Sequence, residues 1–197
     1  MKSSFAVLFS MVLFTGTAAM ATSPVFKPLT EIDAIAEAHK YDMGCNQFNT
    51  EIEPRFAQKI VHKFSYSYDK KSDPERSVEY FVVSCLAGAY NTNSMLFRVD
   101  RYENRLAPVA LALPRLNTKD QVTGWTADVV VGELNYEEKT GTLTSFSKGR
   151  GIGDLYVMGT YRLFEEDVVL VKYFLDNTEG DGEAPGTVYE SKLPLNF

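Results

Sequence analysis

The sequence predicts a mainly β (α+β) protein, an antiparallel curved sheet or a small sandwich with one N-terminal helix. Three observations lead there. From Lys59 onward the chain breaks into short runs rich in Val, Ile, Phe, Tyr and Thr, residue types that fit a pleated, half-buried surface. About seven or more such runs follow at close spacing, joined by turns and not by helices, which selects antiparallel pairing. A helix start signal coincides with helical spacing at one place, after Thr30.

Taken in order, residues 1–21 read as a signal peptide. Lys2 gives a positive start, Phe5 to Phe14 is an apolar run, and Ala19-Met20-Ala21 is the small-x-small pattern that signal peptidase cleaves. That run is about half of the roughly 20 residues a membrane-spanning helix needs. With cleavage near Ala21, residues 22–197 read as a single β-rich domain that is periplasmic or secreted. No later segment is long and apolar enough for a helical membrane span, so none is expected in the mature protein. Losing Lys2 takes the formal charge from −6 to −7, since residues 1–21 hold one lysine and no acid. That balance argues against nucleic acid or an anionic membrane as partner, because neither phosphate surface would attract the chain.

The two cysteines are Cys45 and Cys85. An even number in an exported chain reads as one disulfide. It would close a loop of about 40 residues and stabilise the fold by roughly 4 kcal/mol in the chain-entropy view. The alternative is two separate buried thiols.

Thr30 opens the helix. Its hydroxyl caps the free amides, Glu31 and Asp33 suit the positive end, and Asp33 stands where a capping box needs an acid. Ile32, Ile35 and Ala36 fall on one side, His39 closes the helix, and Gly44 in "YDMGC" is the stop signal. The strands begin with "KIVHKFSYSY" (59–68) and "SVEYFVVSC" (77–85), separated by a charged turn that carries Pro74. Next come "SMLFRVDRY" (94–102) and "APVALALPRL" (107–116), the latter bracketed by prolines. The second half runs "TADVVVGELNYEE", "GTLTSFSKG", "LYVMGTYRLF", "DVVLVKYFLD" and "GTVYESKL". Lys139-Thr140-Gly141 and Glu165-Glu166-Asp167 read as hairpin turns. "NTEGDGEAPG" (177–186) reads as an exposed acidic loop. Trp125 reads as a core anchor at the start of a strand. The closing Phe197 resembles the end of an outer-membrane barrel, but the strands lack the sustained lipid-facing alternation of one.

The segment "SKGRGIGD" (147–154) is the candidate site. A phosphate loop needs G-x-x-x-x-G-K-[ST] between a strand and a helix, so that amides converge on the anion. Here Lys148 precedes the glycines and "LYVMGTYRL", a strand, follows. A dinucleotide fingerprint needs G-x-G-x-x-G in a βαβ unit, whereas the spacing here is G-x-G-x-G with no crossover helix. Gly149, Gly151 and Gly153 instead leave one side of an extended segment bare, which permits close approach of a neighbouring backbone, a ring or a ligand. Arg150 offers a fork of donors to a carboxylate, with Asp154 close enough to be its partner. The bland alternative is a bent strand whose Arg150 is tied to Asp154 or to a carbonyl.

No metal or other cofactor is expected. His39 and His62 are the histidines, and neither H-x-x-x-H nor C-x-x-C occurs. No G-x-S-x-G elbow supports a Ser–His–Asp triad, and the paired carboxylates Glu137–Glu138 and Glu165–Glu166 fall in turns, where such pairs are solvated. The tyrosines and phenylalanines are first of all packing.

Two stretches carry a resemblance. "CLAGAYNTNSMLF" (85–97) and "TGTLTSFSKGRGIGD" (140–154) are similar to signature segments of exported bacterial proteins grouped as domain-of-unknown-function family 1176. The matching positions are Cys85, Gly88, Ala89 and Tyr90, then Leu143, Ser145, Phe146, Lys148, Gly149, Arg150, Gly151, Ile152, Gly153 and Asp154. The likeness covers roughly residues 30–192. Family members place a cysteine where this chain has Leu155, and a second in the region of "YFLDNTEG"; both are missing here. Loss of the pair together implies that the missing bridge was structural. The resemblance implies location and fold type and supplies no reaction.

The sequence therefore reads as an exported binding protein, not an enzyme, whose partner is a protein or an envelope ligand. Lys148 and Arg150 would meet an acidic group, with Asp154 beside them and Tyr90 or Tyr156 as stacking surface. The rival is a periplasmic hydrolase whose acid or base is Asp154 or Glu133.

Overall fold

The computed structural model describes residues 27–41, 56–64, 76–87, 91–149, 155–164, 167–177 and 186–192. The signal segment, Cys45, Gly44, the turn with Pro74 and most of the acidic loop lie outside them.

Helix α1 is Glu31–Ala38, and its start is the capping box the sequence spells. The amide and hydroxyl of Thr30 both donate to Asp33 Oδ2, at 2.8 and 2.7 Å. These bonds hold the Asp33 carboxyl below its ordinary pKa. Eight residues are too few for a helix to persist alone in water, where about 12–15 are needed, so packing must hold it. The buried face is Ala34, Ile35 and Ala38, while Ile32 is half exposed and Ala36 is exposed. The expected face of Ile32, Ile35 and Ala36 is corrected accordingly. The small side chains at 34 and 38, one turn apart, are the ones that let a helix lie close to a sheet.

That sheet is antiparallel: β1 (Ala57–Phe64), β2 (Arg76–Ala87), β3 (Asn91–Asp100) and β4 (Arg105–Pro108) in spatial order, with the short β7 (Val130–Val131) also pairing with β3. Strand β2 is apolar on both faces. Phe81, Val83 and Cys85 join Met95, Phe97 and Leu106 beneath α1. Val78, Tyr80 and Val82 belong with Ile60 and Leu96 to the opposite core. The unbroken run "YFVVSC" is thus a strand covered on both sides, since adjacent strand residues point to opposite faces.

The second core layer is a further antiparallel sheet: β8 (Glu133–Glu137), β9 (Thr142–Lys148), β10 (Tyr156–Leu163), β11 (Val168–Asp176) and β12 (Gly186–Glu190), in the order β12-β11-β10-β9-β8. Its Leu134, Leu143, Tyr161, Leu163, Leu170 and Tyr173 pack into the core with the first sheet. Of the two sheet arrangements the sequence allowed, the chain adopts the sandwich. A ribbon of β5 (Leu111–Leu116) and β6 (Val122–Asp128) adds Leu111 to the same core. Buried phenols tie the layers together. Tyr80 donates to Phe164 O at 3.1 Å and Tyr161 to Ala112 O at 3.2 Å. Burial pushes both hydroxyls up to about 12.

Two single runs of the sequence prove to be several strands. "APVALALPRL" divides into the end of β4, in the first sheet, and β5, in the ribbon. "TADVVVGELNYEE" divides into the end of β6, then β7, then β8, three pieces in three different sheets. Asp128 makes the first change of direction by accepting the Val130 amide at 3.1 Å, and Gly132 makes the second. Trp125 is corrected as well: it sits within β6, 47% exposed, with its ring edge-on to Tyr189 at 4.8 Å. Two-stranded ribbons have an outer face, and Trp125 is on it.

Candidate functional site

The glycine segment is a hairpin. Gly149 donates to Leu155 O at 2.6 Å, and Tyr156 pairs with Lys148. The five intervening residues therefore turn the chain straight back into β10, and no helix follows them. Phosphate-loop geometry is ruled out by that return. A Cβ on Gly149 would stand 3.0 Å from Leu155 Cβ, so this glycine serves the close approach expected of it. Arg150, Gly151, Gly153 and Asp154 lie outside the described residues, as does Tyr90. Lys148 and Tyr156 are half-buried, and the Tyr156 ring leans on Phe146 at 5.4 Å and 40°.

A feature the sequence reading missed fixes the base of this hairpin. Strand β8 pairs with β9 as far as Glu133↔Phe146, and Gly132 then carries the chain away. The amide and carbonyl of Lys148 face the side that β8 has left, because those of Gly149 face β10. The carboxamide of Asn91 takes the vacant place. Its Nδ2 donates to Lys148 O at 2.8 Å and its Oδ1 accepts from Lys148 N at 2.7 Å. One side chain thus acts as a one-residue strand, joining the two stretches that carried the family resemblance. The only hint in the sequence was a second amide, Asn91, beside Asn93 in "YNTN", which local turn chemistry explained equally well.

Next to this joint the sandwich opens. On the inner face of β2 the series Val78, Tyr80, Val82 ends in Ser84. A cleft of about 380 Å³ lies over that point, with Val82, Ser84 and Thr92 as its floor. Phe56 to Gln58 form one wall and Glu133 to Asn135 the other. It lies within the volume range of ligand sites, about 300–1,000 Å³. Ser94 marks its inner limit: fully buried, its hydroxyl accepts the Leu134 amide at 3.2 Å. Glu133, which the sequence reading had weighed as an acid or base, is the one ionisable side chain among the described residues lining the cleft. Gln58, Ser84 and Thr92 were not singled out. Their signal was the polar ending of an apolar alternation, visible only once the facing strand is known.

The opposite end of the sandwich is closed by His62. Its Nδ1 lies 3.2 Å from the Tyr136 hydroxyl, and its Cε1 would meet a Cβ on Gly141 at 2.8 Å. Burial pushes the imidazole below its usual pKa; a backbone hydrogen bond with Leu163 opposes this, and the Arg162 cation reinforces it. The unfolded chain therefore takes up this proton first, near pH 6.5. The stability held by neutral His62 is complete above that pH and declines as pH falls through it. Below the folded-state pKa there is no further loss. Urea unfolding from pH 7.5 to 5 should show this decline, and His62→Gln should flatten it. An unchanged slope in the variant would refute the assignment.

Among the described residues no three His, Cys, Asp or Glu side chains gather to hold a metal ion, and no helix is long and apolar enough to cross a membrane. Over 105 residues, 53% of this chain, the sequence is 30% identical to the uncharacterized protein YpfG of Escherichia coli (strain K12). That match takes in 29% of the relative's length. No solved structure matches. A family model described as "Protein of unknown function (DUF1176)" matches residues 27–178. That span holds α1, the described strands β1 to β11, the Asn91–Lys148 joint and the cleft, and the chain belongs to this family of unknown function.

Proposed function

We propose that the chain is an exported protein, periplasmic or secreted, that binds a ligand without transforming it, through the cleft between the sheets and the glycine hairpin beside it. The observation that carries this reading is the cleft itself, a polar-walled opening in an otherwise apolar sandwich core. A single carboxylate, Glu133, faces it with no second ionisable group on the described walls, a lining suited to hydrogen-bonded recognition more than to acid–base catalysis, which calls for a proton donor and acceptor in partnership.

The hairpin contributes Lys148, Arg150, Asp154 and Tyr156, with Tyr90 from the neighbouring segment, as groups for an acidic part of the partner. Gly149, Gly151 and Gly153 keep the turn narrow. Export is supported by the signal-like residues 1–21. A Cys45–Cys85 bridge would pin the segment after α1 to the first sheet; Cys85 lies buried there at 1% exposure, and no described cysteine is free.

Two measurements test the proposal. Expressed in full in a bacterium, the chain should appear in the periplasmic or extracellular fraction with a new N-terminus at Thr22 and no titratable thiol. Cytoplasmic retention would overturn export. The ¹⁵N-labelled protein, titrated with a cocktail of small amides, sugars and carboxylates, should shift the amides of Gln58, Ser84 and Thr92 without consuming any compound. Silence at those amides would overturn the site, and turnover would favour the hydrolase.

A further inference from the structure

We propose that the occupant of the cleft is an extended peptide segment, lying between β1 and β8 and carrying a Lys or Arg side chain beside Glu133. The inference rests on the cleft being the binding site and goes on to name its ligand class.

Both walls are terminal strands. Among the described residues β1 pairs only with β2, and β8 only with β9. Terminal strands present one edge of backbone donors and acceptors, which is what an added strand uses. Here the two edges belong to different sheets and flank the same opening, because β8 crosses above β3 at Ser94 and leaves the end of β2 uncovered.

The floor suits a peptide too. Ser84 and Thr92 are short hydroxyl side chains, and Gln58 and Asn135 on the walls are carboxamides. Each both donates and accepts, as each amide of an extended chain requires. Val82, Leu134 and Ala57 supply apolar contact for alternate side chains. At about 380 Å³ the cleft holds a short stretch and not the face of a folded domain. Glu133 is exposed on the rim, where a carboxylate selects a cationic side chain at little desolvation cost.

The test uses three blocked octapeptides that alternate Val and Ser and differ at one central position, Lys, Gln or Glu. Each is titrated into the ¹⁵N-labelled full chain at low salt. The amides of Gln58, Ser84, Thr92 and Leu134 should shift together. The Lys peptide should bind about fivefold more tightly than the Gln peptide, the scale of one exposed ion pair, and the Glu peptide should bind most weakly. Glu133→Gln should abolish the preference and leave affinity for the Gln peptide unchanged. The proposal is overturned if no peptide moves these amides, if the shifts centre elsewhere, such as on Trp125, or if the Lys preference survives in Glu133→Gln. Concentration-dependent shifts without peptide would overturn it in favour of a second copy of the chain. If chitotetraose moves the four amides and the peptides do not, the peptide assignment fails while the cleft stands as a site.

Discussion

Replacing Gly132 with alanine should destabilise the protein by about 3 kcal/mol or more, the upper range for forcing an atom into filled space. A Cβ at this position would lie 2.1 Å from Phe146 O, 2.6 Å from Phe146 C and 2.2 Å from Ser147 Oγ. The serine hydroxyl can rotate away, but the carbonyl belongs to β9 and cannot. Relief would require β8 to lift from β9 where the chain passes from one sheet to the other, opening the core around Val131 and Leu134. Gly124→Ala is the control. Nothing lies within 4 Å of a Cβ there, and its effect should stay within about 0.5 kcal/mol. Urea unfolding followed by circular dichroism should show a lower midpoint for Gly132→Ala at unchanged slope. Equal midpoints for the two variants would mean that the close approach at Gly132 does not exist.

Asn91→Ala should cost about 2 kcal/mol. It removes two hydrogen bonds and strands both the amide and the carbonyl of Lys148, each a group that costs roughly 1–3 kcal/mol when buried without a partner. Water reaches this half-buried position and moderates the loss. Asn91→Asp keeps an acceptor for the Lys148 amide but turns an oxygen toward the Lys148 carbonyl, so it should fall at least midway between the other two. The distinguishing measurement is hydrogen exchange at Lys148. Its amide should lose protection in Asn91→Ala while amides deep in β10, such as that of Thr160, keep theirs. Unchanged protection at Lys148 would remove Asn91 from its role. The hairpin base would loosen with this joint, so ligand shifts assigned to Lys148 and Tyr156 should fade in the same variant.

Features governed by neighbours in the chain were legible in the sequence. The Thr30–Asp33 capping box, the turn at Gly141 and strands β9 to β12 follow from local spacing, and their boundaries agree with the reading. So does the refusal of "KGRGIGD" as a nucleotide cradle, because a strand pattern follows it at once. The family was legible as well, since its signature is a contiguous string.

Tertiary structure alone decided which face of a strand is inside and where a run of β-formers changes sheets. "VVVGEL" reads as one strand because propensity carries no information about partners, yet Gly132 divides it between two layers. The helix turned Ala34 and Ala38 inward in place of Ile32, because closeness of approach mattered more to the docked helix than the size of the side chain. Trp125 lies outside, since a ribbon has no second layer to cover it. The Asn91–Lys148 joint spans 57 residues, and the cleft draws on four strands. Their existence depends on which backbone groups remain unpaired after the sheets have formed, a quantity that no local pattern encodes.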